Sequence, residues 1–298
     1  MPWKFALHSV SYAGLWHGQA RLSLDAFLDK AKSLGYDGVM LMAKRPHLSL
    51  LDADQAARGR LRDKLSRLGL ELTCLAGYTD FCLGSEHPDI PAREMQIYYV
   101  TELARLARDL GSRLVRVFTG YSPAASSPEQ GWNWCVDALR ECARRAAEFN
   151  VTIGVQNHHD MAAHYESLFD LLTEVNEPNC RAMFDAWSPA LHGSDLAAAV
   201  KHMAPYIVHT TVADYVRRPR FSYVPQLVNY ARETDAVRAV PMGAGFIDYR
   251  SFFDALDAAG YRGAVAYEMC SPLRGGGSEA NLDRCAKQFL EYMRGICW

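Results

Sequence analysis

Apolar positions along this chain follow two periods that take turns. Short runs of β-branched and aliphatic residues mark strands, and between them apolar residues recur at helical spacing. The first strand covers 3–10 and leads through a glycine-containing loop to a helix over 23–34, with Ser23 as its N-cap and Gly35 as its stop. A strand at 38–43, a helix at 52–68 ended by Gly69, a strand at 71–77 and a long helix closing at Gly111 continue the alternation. Strand 113–119 precedes a helix over 128–149, the strand-like stretch 151–160 a helix over 165–175, and strand 180–187 a short helix over 194–203. Strand 206–214 is followed by a long connection at 216–247, rich in Arg, Pro and Tyr. A helix at 249–259, a strand at 263–269 and a helix at 278–293 complete the chain.

Strands followed by amphipathic helices require parallel pairing through crossovers. Eight such units in 298 residues close most economically into a barrel, so the expected fold is α/β, a (β/α)8 TIM barrel with 1–298 as one domain. A doubly wound sheet is the alternative, but the G-x-G-x-x-G phosphate fingerprint is missing after the first strand.

Composition narrows the partners. The formal charge is −2, from 32 basic and 34 acidic residues, which provides no general attraction to nucleic acid or to an anionic membrane. A small molecule is the expected ligand. The start, MPWKFALHSV, has no basic segment followed by a long apolar run, and no apolar stretch reaches the roughly 18 residues of a membrane span. The eight cysteines (74, 82, 135, 142, 180, 270, 285 and 297) show no C-x-x-C spacing and read as reduced, mostly buried side chains. A cytoplasmic protein is expected.

The stretch 151–160, VTIGVQNHHD, ends an apolar strand in a cluster of polar groups. Val151, Ile153 and Val155 share one parity, while Gln156 and His158 share the other. A polar solvated loop after a strand reads the same way. Similar endings recur, however: His8 on strand one, Lys44 after strand two, Arg116 on strand four, Asp185 on strand six, His209 and Asp214 on strand seven, Glu268 on strand eight. In a barrel these converge on one rim. Imidazole and carboxylate groups converging there suit a divalent cation.

The ordered segments GVQNHHD, AMFDAWSPALHG, VHTTVADY and VAYEM resemble those of the xylose isomerase-like TIM barrels, a superfamily of sugar isomerases, keto-sugar epimerases, inosose dehydratases and endonuclease IV repair enzymes. The resemblance covers nearly the whole chain and implies one divalent metal ion, Mn²⁺ first, with Mg²⁺, Co²⁺ or Zn²⁺ as alternatives. Its ligands would be Gln156, Asp185, His209 and Glu268. Three positions depart from the family pattern. Gln156 stands where a Glu is usual, Thr211 where the strand-seven ligand His is usual, and Ser188 where a further His is often found. Gln can coordinate through its amide oxygen but cannot accept a proton at neutral pH. That argues against a two-base epimerisation and leaves a one-base or His-assisted reaction.

The expected function is a metal-dependent sugar isomerase or epimerase, with Glu268 or His158 removing a proton next to a carbonyl to give an enediolate. The alternatives are a lyase that expels a β-substituent and a carbohydrate-binding subunit that needs a partner. Nucleic-acid repair is disfavoured by the charge and by the missing extra His ligands. Substrate contacts are expected from His8, Arg116, Trp187, Arg217 and Arg274. Arg274 precedes three glycines that either hold an anion, bind sugar hydroxyls or only make a turn. Trp16, Tyr78, Phe81 and Trp187 suit either stacking on a sugar ring or core packing. Barrels of this kind often pair, so a second copy of the chain is a further expected partner.

Overall fold

The computed structural model describes residues 3–87, 89–122, 124 and 126–296; Cys297 lies outside them. Eight strands form a closed parallel barrel: β1 (Lys4–His8), β2 (Gly38–Met42), β3 (Glu71–Ala76), β4 (Leu114–Val117), β5 (Thr152–Gln156), β6 (Cys180–Met183), β7 (Ile207–Val212) and, after an inserted hairpin, β10 (Ala264–Tyr267) beside β1. Around it lie α1 (Leu24–Leu34), α2 (Gln55–Leu68), α3 (Ala92–Leu110), α4 (Pro128–Ala147), α5 (Tyr165–Val175), α6 (Trp187–Leu191), α7 (Leu196–Met203), α8 (Tyr249–Ala258) and α9 (Glu279–Ile296). The α/β barrel fold is therefore as the strand and helix periods predict.

The helix ends follow the local chemistry. The Ser23 side chain accepts the Ala26 N–H at the start of α1, and Gly35 ends it at φ 91°, a conformation open to glycine without strain. Among the described residues no helix is long and apolar enough to cross a membrane. The seven described cysteines are all free, and only Cys270 is exposed.

Strand alternation sets the interior. Val115, Val117, Ile153 and Val155 point outward into the large core shared with the helices. Ala6, Met40, Cys74, Ala76, Leu114, Met183 and Ala266 fill the barrel itself as a separate apolar cluster. Two residues further along the same inward parity come His8, Arg116, Asp185 and Glu268. The sequence thus places a polar layer directly above an apolar plug, at the ends of the strands.

The connection at 216–247 is not irregular. It contains an antiparallel hairpin, β8 (Asp214–Val224) and β9 (Asn229–Val240). Most of both strands is exposed on both faces, so no apolar alternation announces them. Cross-strand pairs hold the register: Arg220 to Glu233 at 2.8 Å, and Tyr223 against Tyr230 with ring centroids 5.4 Å apart. Pro219, which has no N–H to donate, sits where the register slips between Arg218 and Arg220.

The base of this hairpin is anchored by Asp214, whose carboxylate accepts N–H groups from Tyr215 (2.9 Å), Gly243 (3.0 Å) and Gly245 (2.8 Å). Gly245 approaches so closely that a Cβ there would fall 1.8 Å from Asp214 Oδ1. Asp214→Ala leaves the buried Tyr215 N–H and the partly buried bonds from Gly243 and Gly245 without their acceptor, a loss of roughly 1–3 kcal/mol. A fall in Tm of about 5 °C by calorimetry is expected; an unchanged Tm would mean the anchor is redundant.

Candidate active site

Four polar residues from neighbouring strands form one connected network at the mouth. Arg116 Nη1 donates to Gln156 Oε1 at 2.6 Å. Gln156 Nε2 donates to Asp185 Oδ2 and, at 2.9 Å, to Thr211 Oγ1. Asp185 also accepts the Thr211 N–H at 2.7 Å and its hydroxyl at 2.6 Å. These partners fix the amide orientation, because arginine needs an acceptor and a carboxylate needs a donor. All four side chains are buried. Burial pushes the Asp185 carboxyl up to about 6, against the pull of its Thr211 and Gln156 donors and the Arg116 charge.

Glu268 follows β10 and stands apart from this network. Its Oε2 lies 4.0 Å from His8 Nε2, and Oε1 lies 3.6 Å from the Cys270 thiol. Its side chain is 14% exposed, so it reaches solvent at the mouth. Burial and the Asp185 charge push it up to about 7, with Arg116 pulling the other way. His8 turns its Nδ1 to the Met40 carbonyl at 3.2 Å, and burial holds its pKa well below the usual imidazole value.

The divalent centre implied by the resemblance is not assembled. His209 lies on the inward parity of β7 but two residues before Thr211, about 7 Å lower along the strand. Its Nε2 is 3.3 Å from Thr73 Oγ1, and it lines a pocket with Glu71, Arg113, Thr152 and Ala264, at or beside the starts of the strands. This corrects the expectation that His209 joins Asp185 and Glu268; Thr211 takes that level instead. Gln156 does not offer its oxygen to an ion either, since Arg116 occupies it. Among the described residues no three His, Cys, Asp or Glu side chains come together as a cation site. The donor set does not fit the ion: one carboxylate is taken up by donors, the amide oxygen is engaged, and a guanidinium already holds the positive charge.

His158 also departs from its expected orientation. Strand β5 ends at Gln156, the His158 N–H turns back onto the Gln156 carbonyl at 2.7 Å, and His159 adopts φ 62°. The alternation of side chains therefore stops at Gln156. The His158 ring packs against Trp187 (5.0 Å), Phe118 (5.5 Å) and His159 (5.7 Å) instead. Burial, with the His159 and Arg116 charges, lowers its pKa to about 4, so it is a neutral imidazole at pH 7. Trp187, at the start of α6, lines a small pocket with His158 and Ser188. Two other expected contacts lie outside this cluster of rings. Arg217 donates to the Ala190 and Leu191 carbonyls (3.1 and 2.8 Å) and ties the hairpin to α6, and Arg274 is exposed in the turn before α9.

Aromatic rings wall the cationic side. Arg116 lies over Phe118 (3.9 Å) and Tyr78 (4.7 Å), and Lys44 lies over the same Tyr78 ring at 3.7 Å. Beyond that wall a cleft of about 1150 Å³ is lined by Lys44, Tyr78, Tyr98, Phe118, Tyr121 and His159. Phe118 and Cys270 are mouth residues that the sequence reading does not single out, although each lies two residues after one that it does, Arg116 and Glu268.

Comparison with known proteins agrees with the barrel. A family model described as xylose isomerase-like TIM barrel matches residues 28–293. The chain is 23% identical over 255 residues to the 3-dehydroshikimate dehydratase of Bacillus anthracis, covering 83% of this chain and 84% of that protein. It is 23% identical over 252 residues to the L-ribulose-5-phosphate 3-epimerase UlaE of Escherichia coli O157:H7, covering 82% and 81%. Its fold superimposes on D-psicose 3-epimerase of Clostridium cellulolyticum H10, solved with D-tagatose, with TM-score 0.76, 17% identity and 98% and 99% coverage. These relatives are epimerases and a dehydratase, and on the matched span and the closed barrel together the chain belongs to the xylose isomerase-like TIM barrel family.

Proposed function

We propose that the chain is an enzyme that moves one proton next to the carbonyl of a small polyhydroxylated substrate, with Glu268 as its single acid–base group. The observation that carries this reading is Glu268 itself: a carboxyl at the mouth, next to Asp185 in charge but outside the saturated network, held at about 7. A group poised near neutrality both takes and returns a proton. Asp185 is engaged by three donors, and Gln156 has no basic site. One base on one face suits return of the C–H proton to the neighbouring carbon, while the proton of the adjacent hydroxyl passes to the former carbonyl oxygen; the net change is isomerisation. Epimerisation would need a second group on the opposite face. Neutral His158 and Trp187 serve as wall, orienting substrate hydroxyls.

A second reading is syn elimination, in which the proton taken by Glu268 is handed to a departing hydroxyl. The same single carboxyl favours it, and one relative is a 3-dehydroshikimate dehydratase. The experiment is incubation with aldoses, ketoses and keto-sugars in D₂O, followed by NMR. Deuterium beside the carbonyl without loss of water marks isomerisation; unsaturated product marks elimination; no exchange with any substrate rejects both.

The pH profile has a fixed sign. Only the ionised carboxylate removes a proton, so the rate rises through pH 7. Between pH 6 and pH 8 the ionised fraction grows by roughly tenfold for a group at that value. A rate that falls across this interval would remove Glu268 from the role of base.

A further inference from the structure

We propose that the substrate carries a carboxylate and that Arg116 holds it side-on. This rests on the mouth being the reacting site, and it names the class of molecule the site receives. Arg116 is 3% exposed, and its guanidinium is fixed over the Phe118 and Tyr78 rings. Nη1 is committed to Gln156. Nε and Nη2 are buried and meet no acceptor at full hydrogen-bond geometry; the Tyr78 hydroxyl is the polar group beside the guanidinium. These two nitrogens share one edge of the guanidinium, where their N–H bonds run parallel at the spacing of two carboxylate oxygens.

A hydroxyl or a carbonyl of a neutral sugar engages that edge at one point and leaves the charge unbalanced. A planar carboxylate fills both positions and neutralises it. Among the described residues no protein carboxylate does so: Asp185 is joined to the guanidinium only through the neutral Gln156 amide. Lys44, over the same Tyr78 ring, adds positive charge at the rim but has no two-pronged edge.

The test is calorimetric titration of the full chain with D-glucuronate, D-glucose and D-glucose 6-phosphate. Glucuronate is expected to bind at least about tenfold more tightly than either of the others. Arg116→Lys keeps a charge and loses the fork, so it should bring glucuronate to within about threefold of glucose. Lys44→Met should leave the preference in place. Equal binding of glucuronate and glucose, equal binding of the phosphate, or a preference that survives Arg116→Lys overturns the assignment. If Arg116→Lys does not fold, the wild type and Lys44→Met still decide it, because loss of the preference in Lys44→Met contradicts the fork. Binding requires no proton transfer. A chain that prefers glucuronate but exchanges no C–H proton keeps this assignment and loses the proposed reaction; exchange with neutral sugars and no preference does the reverse.

Discussion

Glu268→Gln is expected to lower proton exchange next to the substrate carbonyl by about 10²–10⁴-fold, the usual contribution of a positioned acid–base group. The amide keeps the size of the side chain and its place beside His8, so KM should change much less than kcat. The same substitution should raise stability at alkaline pH. A carboxyl whose folded pKa lies above its ordinary value of 4.5 favours the fold only while protonated. That advantage is complete below about pH 4.5 and is lost as pH climbs through 7. Above pH 7 the ionised group therefore costs up to roughly 3 kcal/mol, which Gln does not. The variant should melt higher than the wild type at pH 8 and alike at pH 4.5. An inactive variant that melts lower at pH 8 would instead indicate a structural role.

The second large effect is expected at Gln156. Its amide donates to Asp185 and accepts from Arg116, a combination that no carboxylate can reproduce. Gln156→Glu turns one oxygen toward Arg116 and the other against Asp185, placing two buried carboxylates in contact. A loss of roughly 1–3 kcal/mol at pH 8 is expected, because Asp185 loses a donor and faces a second carboxylate while Arg116 balances only part of the added charge. The introduced carboxyl has a raised folded pKa, so the loss grows from its unfolded value of about 4.3 upward and should be much smaller at pH 5. Denaturant unfolding at both pH values measures it. Added Mn²⁺ should not restore the stability, because Arg116 still occupies the space beside residue 156. Strong stabilisation of this variant by Mn²⁺ would mean that the site readily becomes a cation centre.

Most of the barrel is legible in the sequence because each strand and helix repeats one local rule. Ser23 and Gly35 bracket α1 by capping chemistry alone. In β5 the two-residue period sends Ile153 and Val155 outward to the helices and leaves Gly154 and Gln156 facing inward. The hairpin at 214–240 gives no such signal. Its two strands bury little on either face and carry a proline, so its register depends on pairs such as Arg220 and Glu233 that only the fold brings together. At the mouth, inward parity leads to the strand ends that carry Arg116, Gln156, Asp185 and Glu268. Parity does not specify height. His209 and Thr211 point the same way, and only the stagger between β6 and β7 decides that Thr211, not His209, meets Asp185. His158 escapes the rule for another reason, since the turn after Gln156 ends the pleat. The commitment of Gln156 to Arg116 depends on side-chain contacts between two strands and has no signature along the chain.

Proton transfer at Glu268 is expected to proceed in a mouth whose fixed positive charge is Arg116. The most direct test is the rate of deuterium uptake from D₂O on a responsive substrate, measured with chelator-treated protein verified free of metal and again after adding Mn²⁺. Equal rates in the two samples are the predicted result; uptake that occurs only after Mn²⁺ is added would contradict it.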